Sequence, residues 1–109
     1  MALRDNLQLM LERGQDSPLL RFALGQECLK TGDLLAAIDH LRRAVEQNPR
    51  YSAAWRALGE AHRLAGSPER AAEVYERGIA AARLAGDMQA AREMAVFLKR
   101  LRRGQGAAR

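Results

Sequence analysis

The chain has 109 residues, a single cysteine and a net charge of +5, which allows one domain around one core and excludes an internal disulfide. It has no run of about 18 apolar residues that could span a membrane, and Met1 to Asn6 lacks the apolar stretch of a secretory signal, so a cytoplasmic protein is expected. Acids and bases balance as far as residue 98, which leaves the excess charge on Lys99, Arg100, Arg102, Arg103 and Arg109.

In chain order, Leu3, Leu7, Met10 and Leu11 place apolar groups on one side of an N-terminal helix within residues 1–17. Asp16-Ser17-Pro18 then supplies a cap and a first-turn proline for the next helix, whose apolar stripe is Leu20, Leu24 and Cys28. Thr31-Gly32-Asp33 ends that helix on glycine and caps a third, which carries Ala37, Ile38, Leu41, Ala44 and Val45 and stops at Asn48-Pro49. Ala65-Gly66-Ser67-Pro68 repeats the turn with a serine cap and proline in the first turn. After a break at Ala85-Gly86-Asp87, a last amphipathic helix sets Met88, Ala91, Met94, Ala95, Leu98 and Leu101 toward one side, and residues 104–109 read as a disordered tail.

These signals recur with a period of 34 residues: Leu24-Gly25 becomes Leu58-Gly59, Gly32 becomes Gly66, Ala37 becomes Ala71, Leu41 becomes Tyr75 and Ala44 becomes Gly78. Residues 18–51 and 52–85 are therefore two copies of one helical hairpin. Subtracting the same period from Ala37, Leu41 and Ala44 reaches Leu3, Leu7 and Met10, so residues 1–17 read as the second half of a degenerate earlier copy. Residues 86–103 form a capping helix. The expected fold is an all-α superhelix of antiparallel helix pairs, about six helices in all, with a concave surface for a partner and no chemistry of its own. Gly25 with Ala37, and Gly59 with Ala71, fall where paired helices approach closely.

The second copy, with Trp55, Leu58, Gly59, His62, Ala71 and Tyr75, resembles the tetratricopeptide repeat. The first copy shares Leu24, Gly25, Cys28, Ala37, Leu41, Ala44 and Pro49 with that pattern, but has Arg21 at the tryptophan position, and the second copy has Arg83 at the closing proline. The resemblance implies a binding groove lined by the first helix of each copy. Carried over position by position, it names Leu19, Phe22, Gln26, Leu29 and Lys30, then Ala53, Arg56, Glu60, Arg63 and Leu64. Gln89, Met94 or Phe97 are the corresponding candidates on the last helix. A clamp for a chaperone's terminal carboxylate, another use of the family, is absent, since its positions hold Phe22, Gln26 and Ala57. A groove with Leu19 and Phe22 beside Arg56 and Arg63 suits an amphipathic or acidic segment of a protein partner. Against this stands a packing role, with Leu19 and Phe22 on the N-terminal helix and Arg56 paired to Glu60.

No enzyme, metal or cofactor is expected. His40 and His62 lie on different copies outside any metal-ligand spacing, His62 takes a ring-packing position, His40 is read as solvent-facing, and Cys28 falls in the core. The basic C-terminal segment offers nucleic acid or an acidic surface as an alternative partner, although it contains no interleaved aromatic residue and basic groups commonly end helices. A homodimer burying the apolar ends of the stack is a third alternative.

Overall fold

A computed structural model describes residues 2–107, with side chains through Gly104. Its six helices are α1 (Leu3–Glu12), α2 (Pro18–Thr31), α3 (Leu34–Gln47), α4 (Ser52–Leu64), α5 (Pro68–Leu84) and α6 (Met88–Ala107). Each packs on the next in sequence, and α4 also touches both α2 and α6. The result is an all-α superhelical stack of antiparallel pairs, 46 × 30 × 18 Å, with first helices α2, α4 and α6 along one side. No described helix is long and apolar enough to cross a membrane.

The turns repeat because their chemistry repeats. Gly32 and Gly66 adopt φ of 77° and 82°, a left-handed conformation that L side chains resist. In both turns the next amide reaches back to the helix end, Asp33 N–H to Cys28 O and Ser67 N–H to His62 O, at 2.9 Å each, satisfying carbonyls that the helix leaves free. Ser17 Oγ accepts from Leu20 N–H at 3.1 Å and Asp33 from Ala36 N–H at 3.4 Å. Ser67, the expected cap of α5, makes no side-chain cap bond. Accordingly, Ser17→Ala should cost about 1 kcal/mol in a urea unfolding curve and Ser67→Ala close to nothing. Equal losses would show that the two serines cap alike.

Within each pair a large side chain seats on a glycine. A Cβ added at Gly25 would stand 2.4 Å from Leu41 Cγ, and one at Gly59 would stand 2.3 Å from Tyr75 Cε1. Both seated side chains are fully buried. Gly78 joins both levels, since a Cβ added there would stand 2.6 Å from Met94 Sδ of α6 and 2.8 Å from Trp55 Cβ of its own pair.

Trp55 and Arg21 occupy equivalent positions but are held differently. Trp55 donates its indole N–H to Pro49 O at 2.8 Å, and the Arg77 guanidinium lies 4.8 Å from the ring centroid. Arg21 is buried and donates two hydrogen bonds to the Asp16 carboxylate, at 2.8 and 2.9 Å. Its Nη1 lies 3.1 Å from His40 Nδ1, which must be the acceptor because a guanidinium only donates. Gln47 adds a 3.0 Å bond to Asp16. His40 is thus half-buried in this network, correcting its expected solvent-facing position. Burial first, and the charge of Arg21 second, hold its pKa below the usual value.

The ends also depart from expectation. On α1 only Leu7 and Leu11 of the apolar stripe are half-buried, while Leu3 and Met10 are exposed, since no first helix precedes α1 among the described residues. α6 continues through Gly104 to Ala107, where a disordered tail was expected beyond Arg103, and an Arg102–Glu76 ion pair ties its late turns to α5. Arg109 of the basic cluster lies outside the described residues.

Candidate functional site

The first helices line an open groove of about 1300 Å³ on the inner side of the stack. Gln26 and Leu29 come from α2, and Ala53, Arg56, Glu60 and Arg63 from α4, all named by position in the repeat. The apolar part of the wall is completed by Ala57, Phe97 and Leu101, and the rim by Pro68, Glu69 and Arg100. Tyr75, from second helix α5, forms the floor between α4 and α6, its ring centroid 5.7 Å from that of Phe97.

Other expected residues go elsewhere. Phe22 is half-buried against Tyr51, with ring centroids 5.1 Å apart, and is not among the residues lining the groove. Leu19 is exposed and outside the lining. Lys30 is exposed and bonded to Glu27 at 3.0 Å, and Leu64 is exposed. Of the α6 candidates, Phe97 lines the groove, Met94 is fully buried beneath Gly78, and Gln89 bonds Glu93 at 3.3 Å.

Charge within the groove is largely paired. Arg63 holds Glu60 through Nε at 3.0 Å and Nη2 at 2.6 Å. Arg56 does not pair with Glu60, as its helical spacing allowed, but with Glu93 across the gap to α6. That pair links two first helices across this part of the groove. Arg100 and Glu69 make no ion pair among the described residues and are the charges open to a partner. Tyr75 has the least ordinary environment: burial pushes its phenol up to about 12, and its hydroxyl has no hydrogen-bond partner among the described residues. An unsatisfied buried hydroxyl is costly to the fold.

Ala57, Pro68, Glu69, Tyr75, Arg100 and Leu101 also line the groove and were not named by position in the repeat. α2, α4 and α6 start at Pro18, Ser52 and Met88, steps of 34 and then 36 residues, because α5 has 17 residues where α3 has 14. The Asp87 cap, which accepts from Ala90 N–H at 3.1 Å, was the signal that could have set the register of α6.

No group of three or more His, Cys, Asp and Glu among the described residues could hold a metal ion. Cys28 is fully buried and its thiol pushed up by that burial, away from the nucleophilic thiolate.

A repeating hairpin with glycine seats and an inner groove matches a known family, and the profile described as tetratricopeptide repeat covers residues 22–85. The chain belongs to the tetratricopeptide-repeat (TPR) family. A TPR repeat-containing protein of Pseudomonas aeruginosa is 46% identical over 101 residues, spanning 93% of this chain and 96% of that relative. The solution structure of a Bordetella parapertussis protein is similar with a TM-score of 0.85 at 39% identity, covering 98% of this chain and 93% of its own. A TPR domain protein of Salinibacter ruber aligns with a TM-score of 0.74 at 27% identity, over 79% of this chain and 87% of that one. As a TPR protein, the chain is a module for protein–protein interaction.

Proposed function

We propose that the chain is an adaptor whose groove between α2, α4 and α6 holds a peptide or helix of a partner protein. The observation that carries this reading is the open groove itself, where an apolar wall of Leu29, Ala57, Phe97 and Leu101 stands beside the charges of Arg100 and Glu69, unpaired among the described residues. The partner segment sets apolar side chains on that wall. A carboxylate of the segment pairs with Arg100. Leu19, Phe22 and Lys30 are not part of this site. The basic end of α6 is a weaker candidate for nucleic acid, because Arg102 is already engaged by Glu76.

Ala53→Arg with Arg100→Glu fills the groove and reverses its free cation without touching a buried residue. In affinity capture from a lysate of the source organism, this double variant should lose the wild-type partner while its helical melting curve stays unchanged. Tyr75→Phe should leave capture unchanged and stability equal or slightly higher in a urea unfolding curve, since it removes a buried unsatisfied group. Retention of the partner by the double variant would move the site away from the groove.

A further inference from the structure

The contact between Arg21 and His40 joins a permanent cation to a group that can become one. Arg21 is buried on α2, and its guanidinium only donates. His40 Nδ1, 3.1 Å from Arg21 Nη1, therefore accepts, and the imidazole of α3 is neutral with its proton on Nε2. A proton added at Nδ1 removes the acceptor and sets an imidazolium against the guanidinium. Histidine is the side chain whose ordinary pKa places this change between about pH 5 and 8.

The surroundings give an imidazolium no open counter-ion among the described residues. The charges acting on His40 are Arg4 of α1, Arg21 of α2, and Asp39 and Arg43 of its own helix, and α4, which also packs on α3, adds none to them. Asp33, at the start of α3, feels His40 in turn. Each nearby acid is already held. Asp16 is bonded by Arg21 and Gln47, Asp33 by Arg4 at 2.8 Å, and Asp39 by Arg42 at 2.9 Å and Arg43 at 3.3 Å. In the second pair Trp55 stands in the place of Arg21 and donates to Pro49 O, an acceptor that does not titrate.

We propose that the His40–Arg21 contact is an acid-sensitive latch: protonation of His40 frees α3 from the buried guanidinium of α2 and loosens the first helical pair. The latch does not depend on what the groove binds. Burial and Arg21 favour neutral His40 in the folded chain. Its contribution is therefore fully present above the unfolded value, about 6.5, and is lost as pH falls toward the lower folded one. His62 is half-buried and is also held down, by burial and then by Arg70. It adds an acid loss of its own, so a global melt does not isolate the latch.

The test reads the two sites separately in the full chain. Proton NMR follows the two imidazoles, assigned with His62→Gln, and amide exchange, corrected for its intrinsic pH dependence, follows the helices. His40 should titrate below about 6.5. Protection at Leu24, Cys28, Leu41 and Ala44 should fall between about pH 7.5 and 5.5, by no more than about tenfold per pH unit. His40→Gln keeps an acceptor that cannot take the charge, and its loss over the same range should be several-fold smaller at those four amides. Arg21→Met, which removes the adjacent cation and releases Asp16, should move the His40 midpoint upward. A His40 midpoint at or above 6.5 in the wild type, an equal acid loss in wild type and His40→Gln, or an unmoved midpoint in Arg21→Met would each overturn the latch. If Arg21→Met does not fold, the first two comparisons decide.

Discussion

Gly59→Leu should destabilise the chain by about 3 kcal/mol or more, and Gly59→Ala should lower its melting temperature even though alanine is the better helix former. A Cβ at this position falls 2.3 Å from Tyr75 Cε1, and the ring cannot step aside because it is fully buried and lies against Phe97. Relief would require α4 and α5 to separate, which would loosen the packing of Trp55 and Gly78 as well. Helix propensity alone would favour alanine by about 1 kcal/mol. Overpacking of a tight core costs about 1–3 kcal/mol and outweighs it. Gly104→Ala is the control, since that glycine lies in α6 with nothing within 4 Å of an added Cβ, and it should raise the midpoint. Thermal melts followed by circular dichroism separate the cases, since 1 kcal/mol moves the midpoint of a domain near this size by roughly 4–8 °C. If Gly59→Ala rises alongside Gly104→Ala, Tyr75 does not sit on Gly59.

Asp16→Ala is the second large effect, about 2 kcal/mol at neutral pH. It removes the carboxylate that neutralises Arg21, whose side chain is only 9% exposed. Stripping the partner from a fully buried ion costs about 3–5 kcal/mol. The cost here is lower because the Asp16 side chain is 39% exposed and water already screens part of the attraction. The pH dependence has a definite sign. The hydrogen bonds from Arg21, and then that from Gln47, hold the Asp16 carboxyl well below the usual carboxylate range. A group depressed in the folded state stabilises fully above its unfolded pKa, near 3.9, and loses that contribution as pH falls toward its folded value. The gap between wild type and Asp16→Ala in guanidinium unfolding should therefore be widest at neutral pH and narrow below about pH 4. A gap that is constant across this range would mean that Asp16 acts through backbone conformation and not through its charge.

The helical hairpins were legible in the sequence because their determinants are local and recur in phase. Gly32 and Gly66 set the same turn, and Leu24-Gly25 and Leu58-Gly59 set the same seat. Six groove residues, Gln26, Leu29, Ala53, Arg56, Glu60 and Arg63, were named through the tetratricopeptide resemblance, which assigns the groove-facing positions within a copy. Contacts between copies were not legible, because they depend on how far each helix extends before it turns. The longer α5 shifts α6 and brings Glu93 to Arg56, Phe97 to Tyr75 and Arg100 to the rim. Phe22 looked like a groove anchor because its position is right, but Tyr51, in the linker before α4, captures its ring. His40 looked solvent-facing on the outer helix, and Arg21, standing in the tryptophan slot, draws it inward.

A partner polypeptide held on the inner side of the stack would leave a distinct signature. The most direct measurement is the amide shift map of the labelled chain on addition of the segment of its captured partner that binds it. Binding there predicts perturbations at Gln26, Leu29, Ala53 and Arg63, at Tyr75 beneath them, and at Phe97 and Arg100 of α6, with the outer faces of α3 and α5 unchanged. A map confined to α3 and α5, or to α1, with the groove signals unmoved at saturation, would contradict it.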